Sequence, residues 1–170
     1  LADNFIAGRF DMMMGYDPDA TRAVKDGKGK VVATSASYEG SIPEGIMVLN
    51  DVLKDIPKTD LAKMLNAWIR AVKWTQNPAN EKEYLSILNS HTFKGSTPYS
   101  EADLKQMLSE VRIHDVKMLE ERNKTDGGLY KYLENLNAFL SSNNLLKKEF
   151  KPSEIFDNTI MMEVLKAQQN

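Results

Sequence analysis

Past residue 58 the apolar residues stop arriving in short runs and begin to recur at helical spacing, and this change of period limits the fold more than any other feature. Leu61, Met64, Leu65, Trp68, Ile69 and Val72 fall at the i, i+3, i+4, i+7 positions of one stripe, with Pro57 as the stop and Thr59 and Asp60 as the cap. The spacing predicts an amphipathic helix over 59–76 with Leu61, Leu65, Trp68 and Val72 buried. Asn77 followed by Pro78 gives a cap and then a proline at the first helical position, which opens a second helix to about Asn89. Ser100-Glu101-Ala102-Asp103 resembles a capping box at the head of a third, running through Val111. A segment around 115–123, a long amphipathic helix from about Leu129 to Ser141 and a short one near 160–168 complete the helical part.

The first 55 residues differ in kind. Residues 1–9 read as a short helix with Leu1, Phe5 and Ile6 on one face, ended by Gly8. FDMMMGY at 10–16, VVATSASY at 31–38 and GIMVLN at 45–50 are compact apolar runs suited to strands, with a helix at Asp19–Lys25 and the turn DGKGK between the first two. Such runs, lacking clean alternation, favour a covered parallel or mixed sheet. The expected fold class is therefore α/β, a few strands followed by a helix-rich remainder.

Apolar residues at 42% and charged residues at 27% are those of an ordinary globular domain, so the chain has the means to bury a core. Its 22 Lys and Arg against 24 Asp and Glu leave a formal charge of −2 without a block of one sign, which argues against nucleic acid as a partner. Having no cysteine, it has no disulfide, thiol nucleophile or cysteine metal site. No apolar run reaches the roughly 18–20 residues that span a bilayer. The chain opens at Leu1 inside what reads as a helix, so the lack of a leader carries no information.

Few residues are arranged for catalysis. His91 and His114 stand far apart in sequence, and neither has a second ligand at i+4 on a firm helix, so no metal or other cofactor is expected. Asp17-Pro18-Asp19-Ala20-Thr21 echoes a calcium loop but has proline second and lacks the glycine and the closing glutamate. DGKGK is too short for a phosphate loop. Nine methionines, three of them at Met12–Met14, suit core filling. The candidate site lies after the first two runs. Tyr16 and Asp17, stopped by Pro18, and the hydroxyls of Ser35 and Ser37 would stand where strands end and project into a cleft above the sheet. The alternatives are that Tyr16 packs in the core, Asp17 caps the next helix and the serines serve turns.

Ala7-Gly8-Arg9-Phe10-Asp11, then Tyr16-Asp17-Pro18, Pro43, the run Ile46–Leu49 and the helix Leu61–Trp74 together resemble the binding proteins for nitrate, taurine, aliphatic sulfonates and thiamine-pyrimidine precursors that serve ABC transporters. Tyrosine stands at 16 where tryptophan is commoner. Asn77-Pro78 and Pro152-Ser153-Glu154-Ile155-Phe156-Asp157 continue the likeness. The resemblance implies a venus-flytrap protein of two α/β lobes, periplasmic or on the outer face of the cytoplasmic membrane and in some cases a lipoprotein. This chain would be its C-terminal half. Residues 1–42 would end the second lobe and carry the return crossover near 35–43; residues 43–170 would be the helical remainder of the first lobe. The N-terminal half would come from the same protein or from a swapped dimer mate.

The function so implied is capture of a small polar solute for an ABC transporter permease, with Tyr16, Asp17, Ser35 and Ser37 lining the cleft and no enzymatic step. Asp17 suits a nitrogen-containing solute better than a bare anion. Two alternatives stand beside this: a ligand-sensing input domain of a receptor, and an enzyme resembling those that make the thiamine pyrimidine with pyridoxal phosphate. The latter use a histidine and a lysine, and no histidine stands in the strand-edge region here.

Overall fold

The structure, a computed structural model, describes residues 1–38 and 42–168. Its helices in chain order are α1 (Ala2–Ile6), α2 (Asp19–Lys25), α3 (Asn50–Leu53), α4 (Lys58–Thr75), α5 (Glu81–Ile87), α6 (Glu101–Glu110), α7 (Val116–Asn123), α8 (Gly128–Ser142), α9 (Pro152–Ile155) and α10 (Thr159–Ala167). Helix accounts for 59% and no strand forms among the described residues, so the fold is all-α and the α/β expectation is overturned. The runs at 10–16, 31–34 and 43–49 are irregular and largely exposed, and 35–37 closes into a single 3-10 turn. A strand exists only by exchanging hydrogen bonds with a neighbour. Apolar composition raises the tendency to extend, but it supplies no neighbour. The crossover expected near 35–43 falls partly on 39–41, outside the described residues.

Two compact units divide the chain. The first comprises Leu1–Ser37 and Asn77–Ile113. Here α1 lies on α2 through the buried Ala2 and Ala23, and Arg22 pairs with Asp3 at 2.5 Å. Gly8, at φ +69°, ends the first helical segment in a conformation that a side chain would strain. The ring of Phe5 lies over the DGKGK turn. A Cβ on Gly27 would stand 3.1 Å from that ring and 2.7 Å from the Ala23 carbonyl oxygen, so glycine is required by close approach. Lys25 reaches Asp103 at 2.7 Å and ties α2 to α6. The core is Leu85, Leu104 and Met107, flanked by Leu88, Phe93, Tyr99 and Leu108.

The second unit comprises Tyr38–Gln76 and His114–Asn170. Helix α10 packs on α4 and α7, and α7 on α8. Ile69, Val164 and Leu165 form the core, against which Ala62, Leu65, Val116 and Leu119 pack. Polar ties run across it: Asn158 Nδ2 donates to the Asn123 carbonyl at 2.7 Å, and Gln168 Nε2 to Asn66 Oδ1 at 2.9 Å. Tyr130 meets Phe156 edge-on with centroids 5.9 Å apart.

Helix α4 sits where its periodicity places it, but its buried face is turned from the one expected. Ile69 is 1% exposed and Val72 is buried, whereas Trp68 is 59% exposed and Leu61 and Leu65 are half-buried. The apolar stripe is broader than the line α10 covers, and Ala62, Leu65 and Ile69 take that line, with Val72 buried farther along the helix. Pro57 itself occupies the N-cap position and offers no side-chain bond, which puts Thr59 and Asp60 inside the first turn.

Candidate functional site

The N-cap residue of helix α2 is Pro18, which has no hydroxyl or carboxylate to cap it. Asp17, one residue upstream, takes that role: its Oδ1 accepts from the Thr21 amide at 3.0 Å and from Thr21 Oγ1 at 2.7 Å. A carboxylate beside a helix N-terminus also meets the positive end of the helix dipole. The capping alternative for Asp17 is thus realised, but it occupies only one of the two carboxylate oxygens.

In the same unit, Asn77 caps the following turn by accepting from Ala79 N at 3.0 Å. Ser100 caps α6 in the expected way, accepting from Asp103 N at 3.2 Å. Between these helices α5 widens into a π turn over Leu88–Thr92, where Phe93 N donates to the Leu88 carbonyl at 2.8 Å. Such turns displace the residue that follows them. Asn89 then holds the returning chain from both sides, donating from Nδ2 to the Tyr99 carbonyl at 2.9 Å and accepting from Tyr99 N at 3.0 Å. This fixes Phe93 edge-on to Tyr99, centroids 5.3 Å apart.

These constraints leave a cavity of about 200 Å³ within the first unit, lined by Asp17, Tyr84, Leu88, Phe93, Leu104, Met107, Leu108, Val111 and Ile113. Seven of the nine are apolar, one is a phenol and one a carboxylate. Burial pushes the Tyr84 phenol up from its ordinary value, so the phenol remains neutral at physiological pH. Val111 is the lining residue left more than half exposed.

Of the four residues proposed from sequence, Asp17 alone lines this cavity. Tyr16 is 79% exposed, so it does not pack in the core, and Ser35 and Ser37 lie on an exposed turn closed by Ser37 N donating to the Thr34 carbonyl at 3.3 Å. With no strand over 10–16, Tyr16 and Asp17 do not stand at a strand's edge. The eight other lining residues were not singled out from sequence. A signal for four was there: Leu104, Met107, Leu108 and Val111 recur at i, i+3, i+4 and i+7.

His91 is exposed and His114 half-buried, and the described residues hold no group of three or more metal-ligating side chains. The glycine turn folds back on the end of α2, Gly29 N donating to the Ala23 carbonyl at 3.0 Å. No described helix is long and apolar enough to cross a membrane.

A family model described as NMT1-like matches residues 1–89, just over half of the chain and all of the stretch that holds Tyr16, Asp17, Ser35 and Ser37. No curated protein and no solved structure matches it. On the strength of that match, the chain belongs to the NMT1-like family, a family of ABC-transporter substrate-binding proteins.

Proposed function

We propose that this chain contributes to capture of a small, nitrogen-containing solute for delivery to an ABC transporter permease outside the cytoplasm, without chemical change to the solute. The family match over residues 1–89 carries this reading. Within the family it corresponds to the C-terminal half of the type that binds nitrate, taurine, sulfonates or pyrimidine precursors, with the division between its two parts at residues 42 and 43. Tyr16, Asp17, Ser35 and Ser37 contact the solute. The exposure of Tyr16 and of the two serines supports that role, since their polar groups are open to an arriving molecule. The second carboxylate oxygen of Asp17 selects an N–H donor over an anion, by charge.

The test is thermal denaturation and titration calorimetry of the chain against a panel of amines, pyrimidines, taurine and nitrate. Binding by nitrogenous N–H donors, with taurine and nitrate inert, is the expected outcome. Indifference to the whole panel, in the presence and absence of the cognate permease, would overturn the reading.

A further inference from the structure

The cavity beside Asp17 has a composition that the capture of a wholly polar solute does not use. Most of its wall is Leu88, Phe93, Leu104, Met107 and Leu108, with the Tyr84 phenol as the one neutral polar group, and the apolar side chains give nothing to a hydroxyl or a sulfonate, which would lose most of its water there without replacement. At about 200 Å³ it falls below the roughly 300–1,000 Å³ of pockets for drug-sized ligands. It is adequate for one ring, given that an apolar cavity of about 150 Å³ accepts benzene.

The one carboxylate in the lining is that of Asp17, and none of the nine lining residues is a lysine, arginine or histidine. Among the described residues, both of its hydrogen bonds come from Thr21 and end on Oδ1, and Oδ2 takes part in neither. A carboxylate bordering apolar surface attracts a cation more strongly than one in open water, because the effective dielectric is lower. The wall is also held in shape before any ligand arrives. The π turn and the two-way Asn89–Tyr99 bond fix Phe93, and the Lys25–Asp103 pair fixes α6 against α2. A preformed pocket loses less side-chain entropy on binding.

We infer that this pocket takes a compact apolar ammonium ion, a single ring or short branched chain seated among Phe93, Leu104 and Met107 with its nitrogen on Asp17 Oδ2. The inference rests on the solute-binding reading of Asp17 and narrows its ligand from nitrogenous solutes in general to apolar amines.

The experiment is NMR titration of the full chain, with labelled Met and Leu methyls, using benzylamine, benzyl alcohol and benzoate at pH 7. Benzylamine is expected to shift the Met107 and Leu104 methyls and to bind about tenfold to a hundredfold tighter than benzyl alcohol, the span of a charge-assisted hydrogen bond. Benzoate is expected to bind weakest. Asp17→Asn, whose amide oxygen still accepts from Thr21, should bring the amine and the alcohol to equal affinity. Val111→Trp, a change at the exposed mouth that leaves the core intact, should weaken both together. Shifts confined to other methyls, or an amine preference that survives Asp17→Asn, would overturn the inference. If benzylamine fails while a polar N–H solute from the panel binds in an Asp17-dependent way, the apolar-amine assignment falls and the broader reading stands. If benzylamine binds as described but the permease ignores the complex, the pocket stands and the transport reading falls.

Discussion

Neighbouring residues on α4 differ in what their loss would cost. Ile69 is enclosed by Val164 and Leu165, so Ile69→Ala removes methyl groups from a packed core and should destabilise by about 2–5 kcal/mol. Trp68, the larger side chain, stands mostly in solvent, and Trp68→Ala should cost about 0.5 kcal/mol or less. Urea denaturation of both variants checks the pair; a larger loss at Trp68 than at Ile69 would mean the helix is rotated from the orientation described. Asp17 offers a subtler comparison. Asparagine caps nearly as well as aspartate, while alanine leaves the Thr21 amide without its acceptor. Asp17→Asn should therefore change stability by a few tenths of a kcal/mol and Asp17→Ala by about 1 kcal/mol. Equal melting temperatures for the two would show that the Thr21 bond contributes nothing.

Helix ends and close approaches decide how the elements hold. Ser100 supplies α6 with its cap, and Ser100→Ala should lower stability by about 0.5–2 kcal/mol, while Ser100→Thr, which keeps a hydroxyl to cap the helix and to donate to Asp103, should largely retain it. The seat of α1 depends instead on what is missing from the glycine turn. Gly27→Ala would press a methyl group against the Ala23 carbonyl and the Phe5 ring. Overpacking of this kind costs about 1–3 kcal/mol, and because the clash falls on α1 and α2, amide exchange should accelerate there ahead of α5 and α6. Uniform acceleration through the unit would show that α1 is not a separable element.

At the scale of the whole molecule, the carboxylates set the response to acid. Hydrogen bonding from Arg22 holds Asp3 below its ordinary value of 3.8; Lys25 and Ser100 do the same for Asp103, and the Thr159 amide for Asp157. Lys105 likewise lowers Glu101 from 4.5. A carboxyl group with a depressed folded-state pKa stabilises the fold fully above its unfolded pKa, and that contribution disappears as pH falls through the lower folded value. The urea midpoint should thus be flat between about pH 5 and 8 and decline as pH drops below about 4. A midpoint unchanged at about pH 2.5 would contradict the pairing. Exposure should also order methionine oxidation: Met14 at 92% and Met47 at 95% should react with dilute peroxide well before Met107 at 5%, as peptide mass spectrometry would record.

Much of the helical part was legible because its determinants are local. The 3.6-residue period from Leu61 to Val72, the Asn77-Pro78 start, the Ser100 cap and the stretches that became α7, α8 and α10 all depend on residues within a turn or two of each other. The helix Asp19–Lys25 and its link to Asp17 belong to the same class. Pairing and facing are not local. FDMMMGY and GIMVLN have the composition of strands, yet a strand is defined by the backbone beside it, and among the described residues they have none. Which edge of the α4 stripe is buried depended on where α10 docks, a choice between Trp68 and Ile69 that periodicity cannot make. The cavity joins Asp17 to residues 84–113, far along the chain, so sequence order alone marked the carboxylate and the Leu104–Val111 stripe but could not bring them to one wall. Local sequence determined which segments are helical and how each begins; only tertiary packing decided which faces meet, because burial is a property of two surfaces and a sequence window holds one.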